Sequence, residues 1–210
     1  MLIRPNDRIL FQGDSITNAF RMPGEINNAY QLGAGYAMIA AAQLLHDRPH
    51  DDLTFVNRGV AGDSLAMLAA RWRVDCLDLQ PNVLSILVGV NDAQVTLSQP
   101  KTSLDEFERQ YRELLARTRA ALPEVRLVLC EPFALRVGEV RADRLDDVAT
   151  RGGIVRRLAT EFAAVIVPLQ EVFADAQLNV PAEYWSYDGI HPNAQGHWLI
   201  AKAWLRAVRG

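Results

Sequence analysis

The sequence predicts an α/β protein of three layers, a five-stranded parallel sheet with helices on both faces. Three observations predict it. Short apolar runs rich in β-branched residues recur five times along the 210 residues. Segments with the 3.6-residue period of amphipathic helices lie between them. No repeat, low-complexity tract or linker breaks the alternation, so residues 1–210 read as one domain. The runs are almost continuously apolar, as strands covered on both faces of a parallel sheet are.

In chain order, the first strand is "RILFQ" (8–12), and "GAGYAMIAAAQLLHD" (33–47) supplies the helix that follows. The second strand is "LTFVN" (53–57). After it, "DSLAMLAARWRVDCLDL" (63–79) sets Leu65, Leu68, Trp72, Cys76 and Leu79 on one helical stripe. "VLSILVG" (83–89) leads to "SLDEFERQYRELLARTRAAL" (103–122). There Ser103 and Glu106 form a capping box, and Phe107, Tyr111, Leu114, Leu115 and Leu122 make the buried face. "VRLVLCE" (125–131) is the fourth strand. The charge-mixed stretch from Arg136 to Arg157, with six arginines, reads as a solvated helix face. Gly152 and Gly153 interrupt its pattern and mark a close contact or a kink. "AVIVP" (164–168) is the fifth strand, and Pro192 opens the last helix in "PNAQGHWLIAKAWLRAV" (192–208).

Composition narrows the function. Half of the residues are apolar, 22% are charged and the net charge is −3, so nothing points to nucleic acid or an anionic membrane as partner. No apolar run reaches the length of a membrane span. The opening "MLIRPNDRILFQGDS" lacks a leader pattern, which points to the cytoplasm unless a signal peptide has been trimmed. Cys76 and Cys130 lie far apart in apolar surroundings and read as buried thiols, not a disulfide.

A doubly wound sheet binds ligands beyond the carboxyl ends of its strands. The residues found there form a set. Ser15 follows the first strand within Gly13-Asp14-Ser15, where its N–H can face a reacting carbonyl from a helix N-terminus. Gly59 follows the second strand and Asn91 the third, offering a backbone N–H and a neutral side-chain amide to a developing oxyanion. Near the C-terminus, Asp188 and His191 stand three residues apart. In a tight 3₁₀-like turn those positions share a side, so the carboxylate can orient the imidazole while its other nitrogen takes the serine proton.

Gly13-Asp14-Ser15, Asn57 to Gly59, Gly89 to Asp92 and Asp188 to Pro192 resemble, in order and context, the four blocks of the SGNH hydrolases, also called GDSL-type esterases. The resemblance implies the flavodoxin-like SGNH hydrolase fold and Ser15 as nucleophile. It implies Asp188 and His191 as the rest of the triad, and Ser15 N–H, Gly59 N–H and Asn91 Nδ2 as the oxyanion hole. Within that family the chain is most similar to acetyl-xylan esterases and related carbohydrate acetylesterases, over residues 32–40, 58–72 and 189–205. That similarity implies hydrolysis of acetyl esters on carbohydrates such as xylo-oligosaccharides, with no cofactor and no metal. A homo-oligomer fits the same reading.

Other residues carry competing readings. Gly62-Asp63-Ser64 repeats the tripeptide, but directly before a helical stripe, where Ser64 suits an N-cap. His197, inside the last helix beside Trp198, suits packing or a core hydrogen bond. Asp14 and Asp92 suit loop ordering through nearby N–H groups. Asp14 is also a candidate substrate contact, as are Phe133, Trp185 and Tyr187; for the loop aromatics, pinning the loop is the equal alternative. Gly33 and Gly35 lack the third glycine and the acid of a dinucleotide site, and let a helix approach the sheet. Two rival functions stand beside the acetylesterase: a lysophospholipase or thioesterase on the same scaffold, and a non-catalytic flavodoxin-like binding module.

Overall fold

Five strands form one parallel sheet in the order β2-β1-β3-β4-β5: β1 (Arg8–Gly13), β2 (Thr54–Asn57), β3 (Val83–Leu87), β4 (Arg126–Cys130) and β5 (Val165–Val167). The structure, a computed structural model, describes residues 2–24, 29–93 and 101–209. Among them the α-helices are α1 (Ser15–Asn18), α2 (Tyr36–Asp47), α3 (Leu65–Ala70), α4 (Trp72–Asp75), α5 (Leu104–Ala121), α6 (Ala142–Glu161), α7 (Leu169–Gln177), α8 (Ala182–Trp185) and α9 (Ala194–Arg209). Chain order departs from spatial order at β1, which has β2 on one side and β3 on the other. That is the switch point where a crevice opens beyond the strand ends.

Both faces of the sheet are covered, which explains the unbroken apolar runs. Ile9, Phe11, Val83 and Val128 pack into one cluster with α2, α7 and α9. Leu10, Val56, Leu84, Ile86 and Leu127 pack into the other with α3, α5 and α6. Burying each large side chain contributes roughly 1.5–3 kcal/mol. Two indole N–H groups inside are satisfied by buried hydroxyls: Trp204 Nε1 donates to Ser85 Oγ at 3.0 Å, and Trp72 Nε1 to Thr118 Oγ1 at 2.9 Å. Cys76 and Cys130 are free buried thiols, each pushed up to about 12 by burial.

Several elements differ from the sequence expectation. The stripe from Leu65 to Leu79 is no single helix: α3, α4 and a 3₁₀ turn (Leu77–Leu79) share it. Arg71 sits at the break with φ −100°, its guanidinium drawn to Asp63, Asp75, Gln12 and Gly13. Ser103 does accept from Glu106 N, but the Glu106 carboxylate turns to Arg109 and Gln110, leaving half a capping box. Gly152 and Gly153 lie within one continuous α6, so neither ends it. Nor is that helix merely solvated: Arg151 is 0% exposed, its Nε 2.7 Å from Asp147 Oδ1 and its guanidinium over the Phe107 ring. The last helix begins at Ala194, and Pro192 pairs with Ser186 in an isolated antiparallel bridge before it. Gly33 and Gly35 face the end of α1 and His197, not the sheet, since added Cβ atoms would meet Asn18 O at 2.6 Å and Ala19 Cβ at 2.6 Å.

Candidate active site

β1 can turn into α1 only because residue 13 has no side chain. A Cβ there would lie 2.3 Å from Leu87 O and 2.4 Å from Thr17 Oγ1. Asp14 caps the turn, its Oδ1 accepting from Ile16 N–H at 3.0 Å. Ser15 is the first residue of α1, so its N–H has no acceptor within the helix. Its Oγ lies 2.9 Å from His191 Nε2. His191 Nδ1 in turn lies 2.6 Å from Asp188 Oδ2. That second bond keeps a proton on Nδ1 and leaves Nε2 to accept from the serine hydroxyl.

The loop bearing Asp188 and His191 holds itself in shape. Asp188 Oδ1 accepts from the N–H groups of Ile190 at 2.9 Å and His191 at 2.7 Å. Ser186 Oγ accepts from Gly189 N–H at 2.9 Å and donates to His191 O at 2.8 Å. Burial pushes the Asp188 carboxyl up, but the His191 ring and these N–H groups outweigh it and hold the carboxyl below its ordinary value. Asp188 is therefore an anion at neutral pH. Gly189 has φ +84°, and a Cβ there would meet Leu135 O at 2.4 Å. The loop thus leans directly on the segment after β4.

Gly59 and Asn91 stand at the ends of the two strands flanking β1, and both already have partners. Gly59 N–H donates to Asn57 Oδ1 at 2.8 Å, while Gly59 O accepts from Asn18 Nδ2 at 3.0 Å and Arg21 Nε at 2.7 Å. An added Cβ at Gly59 would lie 2.5 Å from Asn18 N. Asn91 Nδ2 donates to Asp63 O at 3.0 Å, which leaves its second amide hydrogen for another acceptor. Gly59 N–H can serve an oxyanion only by sharing itself with Asn57.

Of the four candidate substrate contacts, two are buried. Asp14 is 1% exposed and Phe133 0% exposed, the latter stacked on Phe173 at 4.3 Å. Neither presents surface to a ligand: one is under the Ser15 turn and the other is core. The loop aromatics divide. Trp185 is half-buried, donates to Val180 O at 3.3 Å and packs on the core. Tyr187 is 66% exposed, with its ring nearly parallel to the His191 ring at 5.9 Å.

Arg71 is the residue that motif reading missed. It ties the β1 end to the loop under Asn91, bonding Asp63 at 2.7 Å, Gln12 Oε1 at 3.1 Å and Gly13 O at 3.3 Å. Its only sequence signal is a guanidinium eight residues after Asp63 and four before Asp75. His197 Nδ1 accepts from Tyr36 N–H at 3.3 Å and so caps α2 from α9. Among the described residues no three His, Cys, Asp or Glu side chains are grouped to hold a metal ion. No helix among them is long and apolar enough to cross a membrane. Two grooves flank α9, and neither is lined by Ser15, Asp188 or His191.

A five-stranded parallel sheet, a serine on its first strand end and an imidazole at hydrogen-bond distance belong to a hydrolase of the SGNH type. The profile of the GDSL-like lipase/acylhydrolase family matches residues 11–199, and the chain belongs to that family. It is a carboxylic ester hydrolase. An acetylxylan esterase of Geobacillus stearothermophilus is 28% identical over 214 residues, covering 99% of this chain and 96% of that protein. A Parabacteroides merdae protein described as a GDSL-like lipase superposes with a TM-score of 0.94 at 38% identity, covering 99% of this chain and 97% of that one. The solved acetylxylan esterase Axe2 of Geobacillus stearothermophilus gives a TM-score of 0.90 at 29% identity, covering 99% and 96%. Catalytic mutants of Axe2 have been solved with an alanine in place of one serine, one aspartate or one histidine.

Proposed function

We propose that this esterase removes acetyl groups from carbohydrate hydroxyls, xylo-oligosaccharides among them, through an acyl-enzyme on Ser15. The observation that carries the reading is the relay of two hydrogen bonds, Ser15 Oγ to His191 Nε2 at 2.9 Å and His191 Nδ1 to Asp188 Oδ2 at 2.6 Å. Ser15 Oγ attacks the acetyl carbonyl as His191 Nε2 takes its proton, and Asp188 stabilises the imidazolium. Ser15 N–H and the free hydrogen of Asn91 Nδ2 receive the oxyanion, with Gly59 N–H sharing itself between that oxygen and Asn57. His191 then gives its proton to the departing sugar oxygen, and water, deprotonated by the same ring, releases acetate. The carbohydrate substrate is supported by the Axe2 relative, described as an acetyl-xylooligosaccharide esterase, at matching fold and length.

Hydrolysis of 4-nitrophenyl esters of increasing chain length and of acetylated xylo-oligosaccharides tests the reading. Rates fall steeply beyond acetyl, and Ser15→Ala lowers kcat by on the order of 10⁴–10⁶. Asn91→Ala lowers it by on the order of 10²–10³. A rate that holds or rises with chain length overturns the acetyl assignment in favour of a lipolytic enzyme. A wild type inert on every ester overturns the chemistry.

A further inference from the structure

Three carboxyl groups are buried beneath the Ser15 turn: Asp14, Asp63 and Asp92. Burial raises the Asp63 and Asp92 carboxyls as well, but each has groups that pull it back down. Asp63 Oδ2 lies 2.7 Å from Arg71 Nε. Asp92 accepts from Leu65 N–H at 3.0 and 3.2 Å and feels the positive charge of Arg151. Asp14 has neither. Its Oδ1 takes one N–H, from Ile16, while its Oδ2 is buried without a partner among the described residues. No arginine, lysine or histidine lies within ion-pair distance of it there.

A carboxylate so placed, buried and with no cation beside it, is costly to keep charged. We propose that Asp14 serves the reaction as an uncharged acid, a positioning residue that holds the Ser15 turn while keeping negative charge away from the oxyanion. This rests on Ser15 being the nucleophile. The groups facing Asp14 agree with it. Asp92 from the β3 end and Asp63 from the loop before α3 add like charge. Tyr36 of α2, whose buried phenol is pushed well above its ordinary value and shares a hydrogen bond with Thr17 Oγ1, supplies no charge. Arg71 and Arg151 face the other two carboxyls, and His191 faces Ser15 Oγ on the open side. Burial foremost, aided by Asp92 and Asp63, lifts the Asp14 carboxyl to about 7.

The consequence follows from adjacency. The N–H of Ser15 belongs to the peptide unit that starts at the Asp14 carbonyl, so a charge on the Asp14 side chain sits beside the oxyanion donor. As a neutral acid it bonds Ile16 N–H through its carbonyl oxygen, as an asparagine would. Once ionised it opposes the same negative charge that the site is built to receive.

The test is the pH profile of kcat/KM on 4-nitrophenyl acetate for wild type, Asp14→Asn and Asp14→Ser, with Ser15→Ala as blank. The serine variant keeps a capping oxygen and serves should the asparagine variant fold poorly. On top of the pH dependence that the general base imposes on wild type and variants alike, wild-type kcat/KM carries an about tenfold fall to a lower plateau as pH rises from 6 to 8.5, the size of effect one charge beside the oxyanion produces. Both variants lack that step. In parallel, the melting temperature of Asp14→Asn matches wild type near pH 4, exceeds it increasingly up to about pH 7 and keeps a constant lead above that. A step that persists in both variants, or variants inactive at every pH while folded, overturns the proposal, because Asp14 would then act in another form. A melting difference that does not change with pH overturns it as well, even if the wild type proves inert on esters and the proposed function falls.

Discussion

Two serines in the same tripeptide illustrate how residue identity yields to position. Ser15 opens α1 two residues past the end of β1, its Oγ against His191 Nε2, whereas Ser64 is the N-cap of α3, its Oγ accepting from Met67 N–H at 3.4 Å. Ser64→Ala should therefore lower stability by about 1 kcal/mol, as loss of a cap does, and leave turnover per folded molecule intact. Urea unfolding read beside 4-nitrophenyl acetate hydrolysis checks both halves. A dead but folded Ser64→Ala would reverse the choice of serine. This distinction was legible in the sequence because a strand end and a helix start have different surroundings in the chain. The burial of Asp14 and Phe133 was not. Both follow strands, and nothing local shows that the turn folds one under itself or that Phe173, forty residues on, stacks over the other. Arg71 escaped for the same reason: Gln12 and Gly13 reach it from 59 and 58 residues away.

At the scale of elements, strands were more legible than helix ends. Each apolar run became a strand because burial on both faces leaves no other pattern, while helix limits depended on remote partners. The break at Arg71 needed Gln12, and the α2 N-terminus, where Gly35 offers no side-chain cap, is capped by His197 from α9. Glycines inside helices separate propensity from packing. Replacing Gly by Ala inside a helix gains about 0.5–1 kcal/mol when the methyl meets nothing. Gly153 in α6 meets nothing within 4 Å, so Gly153→Ala should stabilise by that amount. Gly196 in α9 is the opposite case, its Cβ falling 2.2 Å from Trp185 O and 2.9 Å from Pro192 Cβ. There the clash outweighs propensity, and Gly196→Ala should destabilise by about 1–3 kcal/mol. It also displaces the loop carrying Asp188 and His191, so kcat/KM should fall by on the order of 10²-fold, the size of effect that misplacement near 1 Å produces. Melting curves and acetate release for the two variants decide it. Equal behaviour of both glycines would show that α9 docks without the close approach.

The whole molecule combines two buried groups with opposite pH behaviour. His197 is pulled down to about 4, first by burial and then by the charge of His191, and its unprotonated Nδ1 receives Tyr36 N–H. The unfolded chain binds that proton below about 6.5, so stability from neutral His197 is present above that pH and is lost as pH falls toward 4. Asp14, lifted to about 7, has the reverse sign. The unfolded chain releases its proton above about 3.8 while the folded chain keeps it, so stability is lost as pH rises from there toward 7. Each slope is at most about 1.4 kcal/mol per pH unit, and they oppose one another over the same window. Asp188, held low, contributes stability that is lost only as pH falls below the ordinary carboxylate range, outside that window. Burial raises Asp63, Asp92 and Glu131 too, with the sign of Asp14, so the two opposed slopes are read as differences from wild type. Between about pH 4.5 and 6.5, Asp14→Asn should gain stability relative to wild type as pH rises, and His197→Gln should lose it. Urea midpoints at half-unit steps of pH measure all three curves. Parallel curves for wild type and both variants would mean that neither group changes its proton on unfolding, and the charge balance beneath the Ser15 turn would have to be redrawn from Asp63 and Asp92.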